Sequence, residues 1–184
     1  MKLLSTIAMA AVAASLAGAA SAQGTPAAPA AAGTWPAPMY TAIPMEITVN
    51  KPAKEVWAKV GADFCSLGKW IRPGAEVPCT ITSGKGEVGT VRSIANGAVT
   101  EVMTAKSELG YGYTQPAKEG KWYNLYHGFL EARPIDAKSC KLVYTLLVDE
   151  ADKADQAARD KDVAQRKTQF EGALANMKKL AEGG

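Results

Sequence analysis

Two side chains of opposite charge, Arg92 and Glu101, flank the dipeptide Asn96-Gly97. This dipeptide is typical of a two-residue β-hairpin turn. Such a turn places Arg92 directly opposite Glu101 on one face of two antiparallel strands, where Met103 is one of their apolar neighbours. An ion pair among apolar residues is costly for stability alone, so it predicts a ligand-binding role. A solvated pair on the outer face of the sheet is the alternative.

Two later segments also predict strands that mix apolar and polar side chains on one face. The first of these faces contains Tyr123, Leu125, His127 and Phe129. The second contains Tyr144 among aliphatic residues. A fully packed core disfavours tyrosine hydroxyls and a histidine, whereas a water-filled or ligand-filled cup accommodates them. A hydrogen-bonded sheet histidine without a ligand remains the alternative for His127.

Other kinds of chemistry find little support in the sequence. Residues 84–89 match the pattern G-x-G-x-x-G, but they lie between two predicted strands, which favours a turn over a dinucleotide site. His127 is the one histidine, and there is no C-x-x-C pair, so we expect no metal and no cofactor. The net charge is +3 and the basic residues are dispersed, which argues against a nucleic-acid partner.

The N-terminal residues predict export. Residues 1–22 combine a positive charge at Lys2, an uncharged run to Gly18 and small residues before Ala22, the order of a cleaved secretory signal. The Ala/Pro-rich residues 23–39 have the composition of a linker, so we expect one domain over residues 40–184. We therefore predict a periplasmic or secreted monomer without a stable membrane anchor.

Three cysteines remain in that domain. An odd number in an oxidising compartment predicts one disulfide and one free thiol. Cys65 and Cys79 are close in sequence and are the predicted pair, which leaves Cys140 free. Closing a loop of this length stabilises a fold by about 3 kcal/mol in the chain-entropy model. Three reduced thiols are the alternative.

The remaining residues predict an α+β domain. Alternating apolar residues from Ile43 to Val49 predict a first strand, and two short helices follow between Pro52 and Trp70. Six strands joined by short turns come next, as expected for an antiparallel meander. They are Val77–Ser83, Val88–Ala95, Ala98–Lys106, Gly110–Gln115, Lys121–Pro134 and Cys140–Asp149. Residues 152–181 predict a long amphipathic helix.

Several short pieces, in their order and spacing, carry a family resemblance over about Ile43 to Ala181. They are Pro52-Ala53-Lys54-Glu55-Val56-Trp57, Asp63-Phe64, Trp70-x-x-Pro73, Gly89-Thr90-Val91-Arg92, Gly97-x-x-x-Glu101 and the long last helix. Together they resemble the START-like (SRPBCC) superfamily in its polyketide cyclase/dehydrase branch, whose relatives include pollen-allergen lipid binders and plant abscisic acid receptors.

The resemblance implies a helix-grip fold. In that fold a seven-stranded antiparallel sheet curls around a long C-terminal helix, with two short helices after the first strand and a cavity between sheet and helix. In relatives, the residues at the positions of Arg92 and Glu101 face this cavity. We expect Arg92 to bind the polar head of a ligand while Glu101 holds the guanidinium. The predicted cavity residues are Arg92, Glu101, Met103, Tyr123, Leu125, His127, Tyr144, Phe170, Leu174 and Met177.

Three functions compete on these observations. The first is an exported carrier of an apolar or amphipathic small molecule. The second is a polyketide cyclase/dehydratase-like enzyme that uses the same cavity, with Glu101, His127 or Tyr144 moving protons. The third is a partner-binding module that uses the N-terminal arm around Trp35. The carrier ranks first because no group in the sequence forces a reaction.

Overall fold

The computed structural model describes residues 37–72, 74–117 and 126–183. Strands and helices alternate only at the beginning and the end of this region. In chain order they are β1 (Tyr40–Val49), α1 (Ala53–Val60), a 3-10 helix (Phe64–Lys69), β2 (Cys79–Ser83), β3 (Val91–Ile94), β4 (Val99–Ser107), β5 (Gly110–Gln115), β6 (Tyr126–Pro134), β7 (Cys140–Asp149) and α2 (Gln156–Glu182).

The strands in the described part of the chain form one seven-stranded antiparallel sheet. Its order is β1-β7-β6-β5-β4-β3-β2, so the strands from β2 to β7 pair with their neighbours in sequence. β1 pairs with β7 instead and forms one edge. The inner face of the sheet, α1, the 3-10 helix and α2 enclose the apolar core. The predicted helix-grip fold is therefore confirmed.

The turn between β3 and β4 sets the register that the sequence predicted. Asn96 and Gly97 have positive φ angles of 56° and 96°, which is the backbone that a tight hairpin turn requires. Arg92 consequently pairs with Glu101 across the two strands. β3 begins at Val91 rather than at the predicted Val88, because residues 84–89 form the preceding turn between β2 and β3.

The long C-terminal helix has clear ends. The side chain of Asp155 accepts a hydrogen bond from the backbone N–H of Ala158 at 2.8 Å, so α2 begins after Asp155 rather than at the predicted residue 152. Gly183 ends it with a φ of 91°. Its buried residues all lie in its C-terminal half, and they are Phe170, Ala173, Leu174, Met177 and Ala181.

Some of the sequence predictions concern residues that the structure does not describe. The predicted signal peptide, the linker up to residue 36 and the predicted start of β6 at residues 121–125 lie outside the described residues. Within the described residues, no helix is both long enough and apolar enough to cross a membrane.

Candidate functional site

A cavity of about 210 Å³ lies between the inner face of the sheet and the middle of α2. Leu67 from the 3-10 helix, Val99 from β4 and Phe170 from α2 are among its apolar walls. The polar groups that border it include Glu101 from β4 and Tyr126 from β6. Residues from the 3-10 helix, four strands (β3 to β6) and α2 therefore meet around one small space.

Arg92 lies behind this cavity and has no exposed surface. Its Nε and Nη2 atoms donate to Glu101 Oε2 at 2.8 and 2.6 Å, and Nη1 donates to the backbone carbonyl of Phe64. Its guanidinium carbon lies 3.9 Å from the ring centroid of Phe64 and 4.9 Å from that of Tyr113. All three guanidinium nitrogens thus have protein partners, and two aromatic rings cover the charge.

Glu101 is the member of the pair that borders the cavity. It is only 4% exposed, and while Oε2 binds Arg92, Oε1 accepts a long hydrogen bond of 3.4 Å from Gln115 Nε2. The expected roles are therefore reversed. Arg92 holds the carboxylate in place, and Glu101 presents an acceptor oxygen to the cavity.

Three buried tyrosines extend the polar floor. The hydroxyl of Tyr113 lies 2.6 Å from that of Tyr144 and 3.0 Å from that of Tyr126. Burial raises the pKa of all three phenols, so they stay protonated at neutral pH. Tyr113 and Tyr126 border the cavity, where they can donate and accept hydrogen bonds but are poor general bases.

β6 presents the opposite face from the one that the sequence predicted. Tyr126 and Gly128 face inward, whereas His127 faces outward against the ring of Tyr40, with 5.7 Å between ring centroids. Phe129 shares the outer face and is 45% exposed. The structure thus does not bring His127 to the cavity.

Gly128 explains why the sequence pattern predicted the wrong face of β6. A Cβ atom there would lie 2.2 Å from Cζ of Tyr113, so the tyrosine of the neighbouring strand fills the space that an inner side chain would take. A glycine at an inward-facing position weakens the apolar pattern of that face. The outward-facing residues of β6 therefore have the more apolar pattern, and the sequence analysis assigned them to the core.

The other predicted cavity residues divide into two groups. Phe170 borders the cavity. Tyr144 packs edge-on against the side of the Phe170 ring that faces away from the cavity, with 5.1 Å between the two ring centroids. Three more are almost completely buried in the packed core, and they are Met103, Leu174 and Met177. Tyr123 and Leu125 lie outside the described residues.

Sequence reasoning missed most of the residues that border the cavity, and the polar ones among them include Tyr113, Gln115, Tyr126 and Arg166. For Arg166 a clear pattern was available, because it precedes Phe170 by one helical turn and therefore shares its face. Tyr126 was missed because the sequence analysis assigned the opposite face of β6 to the cavity.

The predicted disulfide is confirmed. Cys65 and Cys79 are joined with 5.4 Å between their Cα atoms, and Cys140 is a buried free thiol. The bridge ties the 3-10 helix to β2, next to the cavity wall at Leu67. Among the described residues, no group of three or more His, Cys, Asp or Glu side chains is arranged to hold a metal ion.

Comparison with known proteins establishes the fold. No protein-family model and no curated protein sequence gave a significant match. Several solved structures did. The crystal structure of Ara h 8.0201 is 18% identical, with a TM-score of 0.57 over 79% of this chain and 100% of that one.

Two structures of named enzymes are similar to the same extent. The ZhuI aromatase/cyclase from Streptomyces sp. R1128 is 20% identical, with a TM-score of 0.57 over 78% of this chain and 94% of its own. Truncated norcoclaurine synthase from Thalictrum flavum is 17% identical, with a TM-score of 0.54 over 80% and 96%. These likenesses show that the chain has the START-like helix-grip fold.

Proposed function

We propose that this protein binds an apolar or amphipathic small molecule in the cavity between the sheet and α2. The observation that carries the proposal is the composition of that cavity. Its walls are largely apolar, and its floor presents the Glu101 carboxylate and the hydroxyls of Tyr113 and Tyr126. Apolar walls with a few convergent polar groups are typical of small-molecule sites.

The size of the cavity limits the ligand. Its volume of about 210 Å³ exceeds the roughly 150 Å³ of an engineered cavity that binds benzene. It is smaller than the roughly 300–1,000 Å³ of typical drug-sized sites. A molecule with one ring and one or two small substituents fits this range.

Binding without a reaction is the function we favour. The alternative is a cyclase/dehydratase-like enzyme, as in the similar structure named an aromatase/cyclase. Of the three proton-transfer candidates, His127 lies on the outer face and the pKa of Tyr144 is raised by burial. That leaves Glu101, which is already held by Arg92.

We also propose that the protein acts outside the cytoplasm, after removal of residues 1–22. The Cys65–Cys79 disulfide supports this, because such bonds persist in oxidising compartments. N-terminal sequencing of the protein from its native source should start at Gln23. A chain that still began at Met1 would contradict export by this route.

Binding is tested by filling the cavity. Val99→Phe adds a ring from the wall of β4, so toluene and phenol should no longer bind, as measured by saturation-transfer NMR on the mature chain. Val102→Phe is the matched control, because Val102 lies on the opposite face of the same strand. It should leave binding unchanged. Unchanged binding in Val99→Phe, or no binding in the parent, would refute the proposed site.

A further inference from the structure

The deepest part of the cavity offers a hydrogen-bond acceptor. Glu101 Oε1 has only the long contact with Gln115, whereas Oε2 is engaged by Arg92. Glu101 and Tyr126 are each about 5% exposed or less, so they mark the inner end of the cavity. A ligand group that reaches this end meets an oxygen with room for one more donor.

The charge at this inner end is already balanced. Arg92 contributes one positive charge within 2.6 Å of the Glu101 carboxylate. A ligand ammonium group placed beside Glu101 would also lie near the Arg92 guanidinium, which repels it. The inner end therefore favours a neutral donor, such as a hydroxyl group, over a cation.

The outer end of the cavity has the opposite character. Arg166 from α2 and Arg72, which follows the 3-10 helix, both border it. Arg72 is exposed, and the side chain of Arg166 is 36% exposed, so the two guanidinium groups mark the mouth.

The acidic groups nearest to Arg166 do not themselves border the cavity. The Nε atom of Arg166 donates to Asp162, and Lys153 lies 3.7 Å from the same carboxylate. Glu150 also lies beside Asp162, but it is completely buried and burial raises the pKa of its carboxyl. Arg166 thus shares the Asp162 carboxylate with Lys153, which also lies 3.6 Å from Asp152, and Arg72 adds a further positive charge at the mouth.

We infer that the cavity selects a one-ring molecule with a neutral hydroxyl donor at its inner end and a carboxylate at its outer end, that is, a small hydroxyaryl carboxylate. This inference rests on the proposed function, and it adds the polarity of the ligand. The hydroxyl donates to Glu101 Oε1. The carboxylate accepts from the guanidinium groups at the mouth, where charge-assisted hydrogen bonds are strongest.

A series of related probes tests the polarity. The mature chain is titrated by calorimetry with 4-hydroxybenzoate, 4-methoxybenzoate, 4-hydroxybenzyl alcohol and 4-hydroxybenzylamine. 4-Methoxybenzoate lacks the hydroxyl donor, and 4-hydroxybenzyl alcohol lacks the carboxylate charge. 4-Hydroxybenzylamine carries a positive charge in place of the negative one. We expect 4-hydroxybenzoate to bind about tenfold more tightly than each of the others, the effect of about one hydrogen bond to a charged group.

Removing one charge at the mouth tests the outer contact. Arg166→Gln should weaken binding of 4-hydroxybenzoate by about fivefold to tenfold and leave 4-hydroxybenzyl alcohol unchanged. Arg159→Gln is the matched control, because Arg159 lies on the same helix and its guanidinium contacts Gln156 instead of the cavity. It should change neither affinity. The comparison of probes in the parent chain does not depend on how well either variant folds.

The outcomes separate the two proposals. If all four probes bind with equal affinity, or if the amine binds most tightly, the inferred polarity is wrong while binding in the cavity stands. An equal loss of both probes in Arg166→Gln also overturns the outer contact. If neither these probes nor toluene binds the parent chain, the proposed function itself fails.

Discussion

Glu101 and Glu150 are both buried glutamates, yet their surroundings differ completely. Glu101 receives two hydrogen bonds from Arg92 on one oxygen and a long one from Gln115 on the other. Glu150 has no exposed surface, and neither of its carboxylate oxygens has a hydrogen-bond partner in the described part of the chain. Burial raises the pKa of Glu150, and the neighbouring negative charge of Asp162 raises it further.

This difference separates two ways of burying an acid. Glu101 lies against a fixed guanidinium and keeps an acceptor oxygen at the cavity. At Glu150, burial and the neighbouring Asp162 raise the pKa and so favour the protonated form, whereas the pKa of Asp162, the partner of Arg166, is lowered. The first arrangement suits ligand binding, whereas the second belongs to the junction between β7 and α2.

The largest expected effect comes from removing Arg92. Arg92→Leu leaves the Glu101 carboxylate buried without its partner, so the free energy of unfolding should fall by about 3–5 kcal/mol in urea titrations. The double variant Arg92→Leu/Glu101→Leu should recover most of this loss, because it buries no unpaired charge. A single variant as stable as the parent would show that the pair is solvated.

The same substitution at both glutamates should have opposite effects. Glu101→Gln leaves the Arg92 charge without a counterion and should cost about 2 kcal/mol of stability. Glu150→Gln replaces a poorly solvated acid with a neutral amide that can donate to Asp162, and should add about 1 kcal/mol at pH 7. Thermal and urea unfolding of both variants measure the difference. If both variants change the free energy of unfolding in the same direction, the two glutamates do not differ in the way described.

The smallest expected effect is a pH dependence. Because the folded-state pKa of Glu150 is above its ordinary value of 4.5, the folded protein binds more protons than the unfolded chain just above that pH. Its contribution to stability is therefore present near pH 4.5 and is lost as the pH rises through the raised pKa.

The advantage of Glu150→Gln over the parent should consequently shrink as the pH is lowered from 7 towards 4.5. Asp162 has a lowered pKa, so its contribution is lost only on further acidification, below its ordinary value of 3.8. Unfolding curves of parent and variant across this range separate the two groups. An advantage that is constant with pH would mean that Glu150 is ionised throughout.

Local sequence was enough to predict the central hairpin. Asn96-Gly97 adopts the positive φ angles of a tight turn, and those two residues fix which side chains face each other. The bounds of β5 and β7 were also predicted correctly, because short polar turns flank both strands. Features determined within a few residues were therefore accessible.

Features that depend on contacts between residues far apart in the sequence could not be predicted. The inner face of β6 is set by the fit of Tyr113 over Gly128, which joins two strands and leaves no trace in a single strand's pattern. Similarly, the hairpin register pairs Arg92 with Glu101 but does not say which of them borders the cavity. That depends on the Phe64 carbonyl, which draws the guanidinium away from the cavity.

The pairing of β1 with β7 has a consequence for the time at which the domain can fold. Met39 and Asp149, which join the ends of these strands, are 110 residues apart. At a synthesis rate of roughly 5–20 residues per second, β1 waits on the order of 5–20 s for its partner strand. The ladder along this edge cannot form on the ribosome until β7 has emerged. If the chain is exported as we propose, it can cross the membrane before this edge of the sheet closes.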